Sequence, residues 1–136
     1  MKKGFTLLFT VLFVSASLAI SLGLSNLIIG QVRLSGTGRD SQFAFYAADT
    51  GAECATYWDR VSNKFATSSV ATIVCAGQSR QVGGASVSSF SLNLENNSCV
   101  NVTVDKSSLT ETVITSIGRI PCGDSSRVER GLEVRY

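Results

Sequence analysis

Histidine is absent from all 136 residues, which removes a histidine general base, a Ser-His or Cys-His nucleophile pair and imidazole ligation of a metal. Charge is sparse: 12 Lys and Arg against 10 Asp and Glu leave a net charge of +2. Apart from Lys2 and Lys3 the basic residues are scattered. The clustered basic footprint of a nucleic-acid binder is missing, so direct nucleic-acid binding is not expected. No C-x-x-C pair occurs among Cys54, Cys75, Cys99 and Cys122, which argues against a zinc ribbon or a thioredoxin-type motif. Asp49 and Glu53 stand one helical turn apart, but a solvated helix face explains them better than paired acid/base chemistry. No enzyme activity, catalytic residue, cofactor or metal site is expected.

Charge is missing most conspicuously between Gly4 and Val32, directly after Lys2 and Lys3. As an α-helix, Phe5 to Ile29 would extend about 37 Å, enough for a hydrocarbon core of about 30 Å. The basic flank is expected to stay cytoplasmic, placing the remaining chain on the far side of the membrane. That remainder suffices for one small domain and not for two cores. The apolar segment fits four roles: a cleavable secretory signal, a signal anchor, a lone transmembrane helix, or a helix exposed by a cut between Gly4 and Phe5. The first is disfavoured, because the run is too long and Gln31-Val32-Arg33-Leu34 follows it without a small-x-small cleavage site. Ser17, Ser21 and Ser25 recur every four residues, as do Ser15, Ala19 and Gly23. Small residues at that spacing let another helix approach closely in an apolar setting. Ser17, Ala19, Ser21 and Gly23 are therefore the candidate packing residues.

Ser35-Gly36-Thr37-Gly38 marks a point where a helix could loosen; no strand precedes it and the G-x-G-x-x-G pattern of a phosphate loop fails. Helical periodicity then resumes. Phe43, Ala47, Thr50, Cys54, Trp58 and Val61 form an apolar stripe, and Ala44, Ala48, Gly51, Ala52 and Ala55 offer small side chains over which a sheet can pack. One helix from about Phe5 to about Asn63 is expected, apolar all round in its first half and amphipathic in its second. Tyr57 and Trp58 are expected to pack under the sheet; exposure there would indicate an interaction surface.

Beyond the helix, period-two alternation marks half-buried antiparallel strands. Phe90, Leu92 and Leu94 alternate with polar residues, as do Val100, Val102 and Val104. Val128, Leu132, Val134 and Tyr136 oppose Arg127, Glu129, Glu133 and Arg135. Val113 to Ile120 is a further, more central strand, with Lys106-Ser107-Ser108 in the turn before it. The amphipathic half of the helix is the cover expected for the sheet's apolar face. The fold class is α+β: a long N-terminal helix packed on a small antiparallel sheet. Cys99 and Cys122 flank this hairpin and are expected to pair, leaving Cys54 with Cys75. A loop of about 24 residues so closed contributes roughly 3 kcal/mol in the chain-entropy model. Four buried reduced thiols are the alternative.

Lys2-Lys3-Gly4, then Phe5-Thr6-Leu7-Leu8, then an uncharged helix running into an amphipathic half and a sheet, resembles a type IV pilin-like protein. Arg39-Asp40-Ser41-Gln42-Phe43-Ala44-Phe45-Tyr46-Ala47-Ala48-Asp49 is similar to the segment after the membrane helix in PilX-type minor pilins. The resemblance covers about the first 60 residues. It implies residues 1–4 as a prepilin leader, 5–32 as a transmembrane and filament-core helix, and 33–136 as an exported globular domain. A prepilin peptidase would cut after Gly4 and methylate Phe5. The implied partners are that peptidase, other pilin subunits, an inner-membrane assembly platform, and membrane lipid before assembly. The implied location is the bacterial inner membrane, single-pass with a cytoplasmic N-terminus, and then an extracytoplasmic filament.

One departure stands out. The family usually places glutamate at the fifth residue after the cut, where it answers a neighbour's N-terminal amine; here that residue is Phe9. Phe9 sits freely in lipid and offers no counter-charge, which favours a minor, priming or tip subunit. The sole proline, Pro121, lies far from the helix, so the kink common in major pilins is absent. The expected function is a minor pilin or pseudopilin, with adhesion, DNA uptake or secretion as candidate roles. The alternative is a membrane-tethered extracytoplasmic binding domain that never polymerises. Arg39 and Asp40 form either a subunit contact or a solvated pair. Gly123 to Ser126 reads as a loop rather than a calcium site, since no acidic spacing supports one, and the sequons at Asn96 and Asn101 read as polar turn and strand residues.

Overall fold

The computed structural model describes residues 3–123 and 128–136. Met1 and Lys2 of the expected leader, Asp124 to Ser126 of the loop considered for calcium, and Arg127 lie outside the described residues. One helix, α1 (Lys3–Ser62), precedes six strands: β1 (Val70–Cys75), β2 (Gln78–Gly83), β3 (Val87–Asn93), β4 (Cys99–Asp105), β5 (Val113–Ile120) and β6 (Val128–Arg135). The backbone stays helical through Ser35–Gly38, where loosening was expected. The chain divides into two compact units between Thr37 and Gly38.

The second unit holds the core. All its strand pairings are antiparallel: β1 with β2, and a four-stranded sheet in the order β3-β4-β5-β6. β5 is interior, as its less regular alternation suggests. The C-terminal part of α1 lies on this sheet through its smallest side chains, and Ala44, Ala48, Gly51, Ala52 and Ala55 are buried. A Cβ on Gly118 of β5 would collide with the Ala44 carbonyl and come 2.6 Å from the Ala48 nitrogen. A Cβ on Gly51 would meet Val102, Ser116 and Val100 within 2.8 Å. Fully buried Ser116 donates from Oγ to the Ala48 carbonyl at 2.6 Å.

The helix is not the sheet's only cover. The β1–β2 hairpin, unforeseen from the sequence, contributes Ile73, Cys75 and Val82 to a core with Phe65, Phe90 and Leu92. Its two-residue turn is Ala76 (φ 48°) and Gly77 (φ 72°), the left-handed pair a tight hairpin requires. Disulfides join Cys54 to Cys75, tying α1 to β1, and Cys99 to Cys122, tying β4 to the segment after β5. Left-handed Asn63 (φ 46°) ends α1, and the next N–H, that of Lys64, turns back onto the Trp58 carbonyl at 3.1 Å.

Candidate functional site

In the first unit, large apolar side chains from Phe5 to Leu34 are exposed on every side of α1. Such a surface far exceeds the apolar patch a water-soluble chain tolerates, and it requires lipid or protein around it. The helix is long and apolar enough to cross a membrane. Its hydroxyls are satisfied within the helix: Ser17 Oγ donates to the Phe13 carbonyl and Ser21 Oγ to the Ser17 carbonyl, each at 2.9 Å. That arrangement suits a medium without water, where an unpartnered hydroxyl is costly. Ser17, Ala19, Ser21 and Gly23 are all exposed, and a Cβ on Gly23 would meet nothing within 4 Å. Among the described residues of the first unit, their small size is therefore not explained by packing against another element. Gly4 and Phe5, the expected processing pair, lie in the first turn, both exposed, with the Phe5 ring stacked 6.3 Å from that of Phe9.

In the second unit the stripe expected from Phe43 to Val61 is displaced toward the small residues. Val61 is 65% exposed, and Tyr57, expected beneath the sheet, is 56% exposed. Helix periodicity places them beside the buried face, and the sheet, drawn close by Gly51 and Gly118, does not reach them. Trp58 does pack on the core, donating from Nε1 to the Val74 carbonyl at 3.1 Å. The Arg39 guanidinium lies over the Phe43 ring at 5.4 Å, and no ion pair joins Arg39 to Asp40 among the described residues.

Two features escaped the sequence reading. The first is a buried polar cluster at the C-terminal end of α1. The Asp59 side chain, 4% exposed, takes the Lys106 ammonium on Oδ1 at 2.5 Å and the Tyr136 hydroxyl on Oδ2 at 2.7 Å. Arg60 covers the Tyr136 ring at 4.4 Å. Burial first, and then the bond to Asp59, pushes the Tyr136 hydroxyl well above the ordinary phenol range. A signal was present: Asp59 continues the spacing of Ala44, Ala48, Ala52 and Ala55, a carboxylate on the buried row. The second is a groove of about 690 Å³ between α1 and β6, whose lining includes Asp49, Glu53, Tyr57, Leu132 and Val134.

The two carboxylates of the sequence pair thus border a groove that a third carboxylate, Glu133, and the hydroxyl-bearing Thr56 and Tyr57 also line. No group of three potential metal ligands occurs among the described residues. Comparison with protein-family models gives no match, and neither do comparisons with curated proteins and with solved structures.

Proposed function

We propose that the chain is a minor pilin or pseudopilin, cut after Gly4 and assembled into a type IV pilus-like filament through its N-terminal helix. The observation that carries this reading is an uncharged helical segment with its large apolar side chains exposed, which continues into an amphipathic half covering an antiparallel sheet. Function here means assembly. The apolar helix is first stored in lipid, and packing against other helices then replaces the lipid contacts, with Ser17, Ala19, Ser21 and Gly23 allowing close approach. The exported domain faces solvent, its two disulfides suited to an oxidising compartment. Phe9 supports a priming or tip position, because it gives no carboxylate to a subunit above.

Phe9 also supports the second reading, a tethered binding domain that stays in the membrane. Shearing surface filaments from cells that carry a tagged copy separates the two. Assembly predicts the protein in the sheared fraction together with other pilins; recovery from the membrane fraction alone would favour the tether.

A further inference from the structure

We propose that the groove between α1 and β6 receives an extended segment of a partner protein, added as a strand to the outer edge of β6 and carrying lysine or arginine at alternate positions. This goes beyond the filament reading and does not depend on it.

The edge comes first. Thr112 and Tyr136 exchange both backbone hydrogen bonds, 2.8 and 3.2 Å. Antiparallel alternation then turns the N–H and C=O groups of Gly131, Glu133 and Arg135 away from β5. No strand pairs with that side among the described residues. The opposite edge of the sheet is closed, because Arg80 Nε donates to the Ser91 carbonyl at 2.6 Å and Gln78 Nε2 to the Asn93 carbonyl at 2.5 Å. Among the described residues, an incoming strand that extends the four-stranded sheet therefore pairs at β6.

The groove then selects the strand. α1 runs alongside β6, pinned by Arg130 Nε on Ser41 Oγ at one end and by Tyr136 on Asp59 at the other. Between those pins the helix rises about 27 Å and the strand advances about 20 Å. Leu132 and Val134 are only half-buried, because the helix sits closest to β5 and leaves them uncovered. Side chains of an added strand on the helix side would lie over them, facing Asp49, Glu53 and Tyr57. Asp49 and Glu53 have no ion-pair partner among the described residues, and no basic residue lines the groove. They are about 6 Å apart along the helix, and alternate residues of a strand are about 6.7 Å apart. Lysine or arginine stems can cover the apolar floor while their heads reach the two carboxylates. A second β6 is a poor occupant. Antiparallel pairing about Gly131 would set Glu129 of each copy against Glu133 of the other, a repulsive arrangement.

The test uses the full chain in non-ionic detergent and a fluorescent, end-capped octapeptide of alternating threonine and lysine. Expected are saturable binding at low salt, loss of binding when glutamate replaces lysine, and a weakening of about tenfold or more in Asp49→Lys/Glu53→Lys. The milder Asp49→Asn/Glu53→Gln, which keeps both side-chain shapes, should weaken it in the same direction. N-methylating one alternate set of residues should abolish binding and methylating the other set should spare it, as an edge strand demands. No saturation by the lysine peptide, equal binding of the glutamate peptide, indifference to both double variants, or equal tolerance of both methylations would overturn the proposal.

Discussion

Gly118 is where helix and sheet come closest, and it carries the sharpest expectation at the scale of single residues. A methyl there meets helix backbone at Ala44 and Ala48, which cannot swing aside as a side chain can. Gly118→Ala is expected to destabilise by about 3 kcal/mol, and Gly51→Ala by less, since Val100 and Val102 side chains can yield. Denaturant unfolding followed by Trp58 fluorescence measures both; equal and negligible effects would show that the helix rides higher than described. Tyr136 gives a pH dependence of definite sign. Its hydroxyl holds its proton more tightly when folded than when unfolded, so its contribution is complete below the ordinary phenol value of about 10 and is lost as pH rises above it. Melting temperature should therefore fall through that window, and Tyr136→Phe should fall less steeply. Parallel curves would place the titration elsewhere.

At the scale of elements, the β1–β2 hairpin shows what was hard to read. β2 reads Gln78-Ser-Arg-Gln-Val-Gly83, with Val82 its one large apolar residue, so a period-two apolar pattern is missing from the sequence although burial alternates along the strand. Its turn begins with Ala76, held at positive φ where asparagine or glycine would have announced a hairpin. Ala76→Asn is accordingly expected to raise stability by about 1 kcal/mol, read as an upward shift in melting temperature; a downward shift would contradict the turn. β3 and β4 were legible because each carries a regular apolar face, β6 through Leu132 and Val134, and β5 despite a less regular alternation. Helix α1 was legible in extent, and its buried face was signalled by the alanines rather than by Val61 and Tyr57. The candidate site was legible only where chemistry lies in one continuous segment. The apolar run could be seen, whereas the α1–β6 groove joins Asp49 and Glu53 to Leu132 and Val134, residues distant in sequence that only the folded sheet brings together.

At the scale of the whole molecule, each unit makes a different demand on its surroundings. Residues 4–37 expose apolar surface throughout and need a non-aqueous neighbour, while residues 38–136 enclose their own core, fastened by two disulfides. A chain so built is suited to exchanging one non-aqueous neighbour of its first unit for another without refolding residues 38–136. The most direct measurement is the intact mass of the protein from cells with an active prepilin peptidase, compared with cells lacking it. The account predicts loss of Met1 to Gly4 and one added methyl on Phe5 in the first case, and the full-length chain in the second. A full-length, unmethylated chain in both would contradict it.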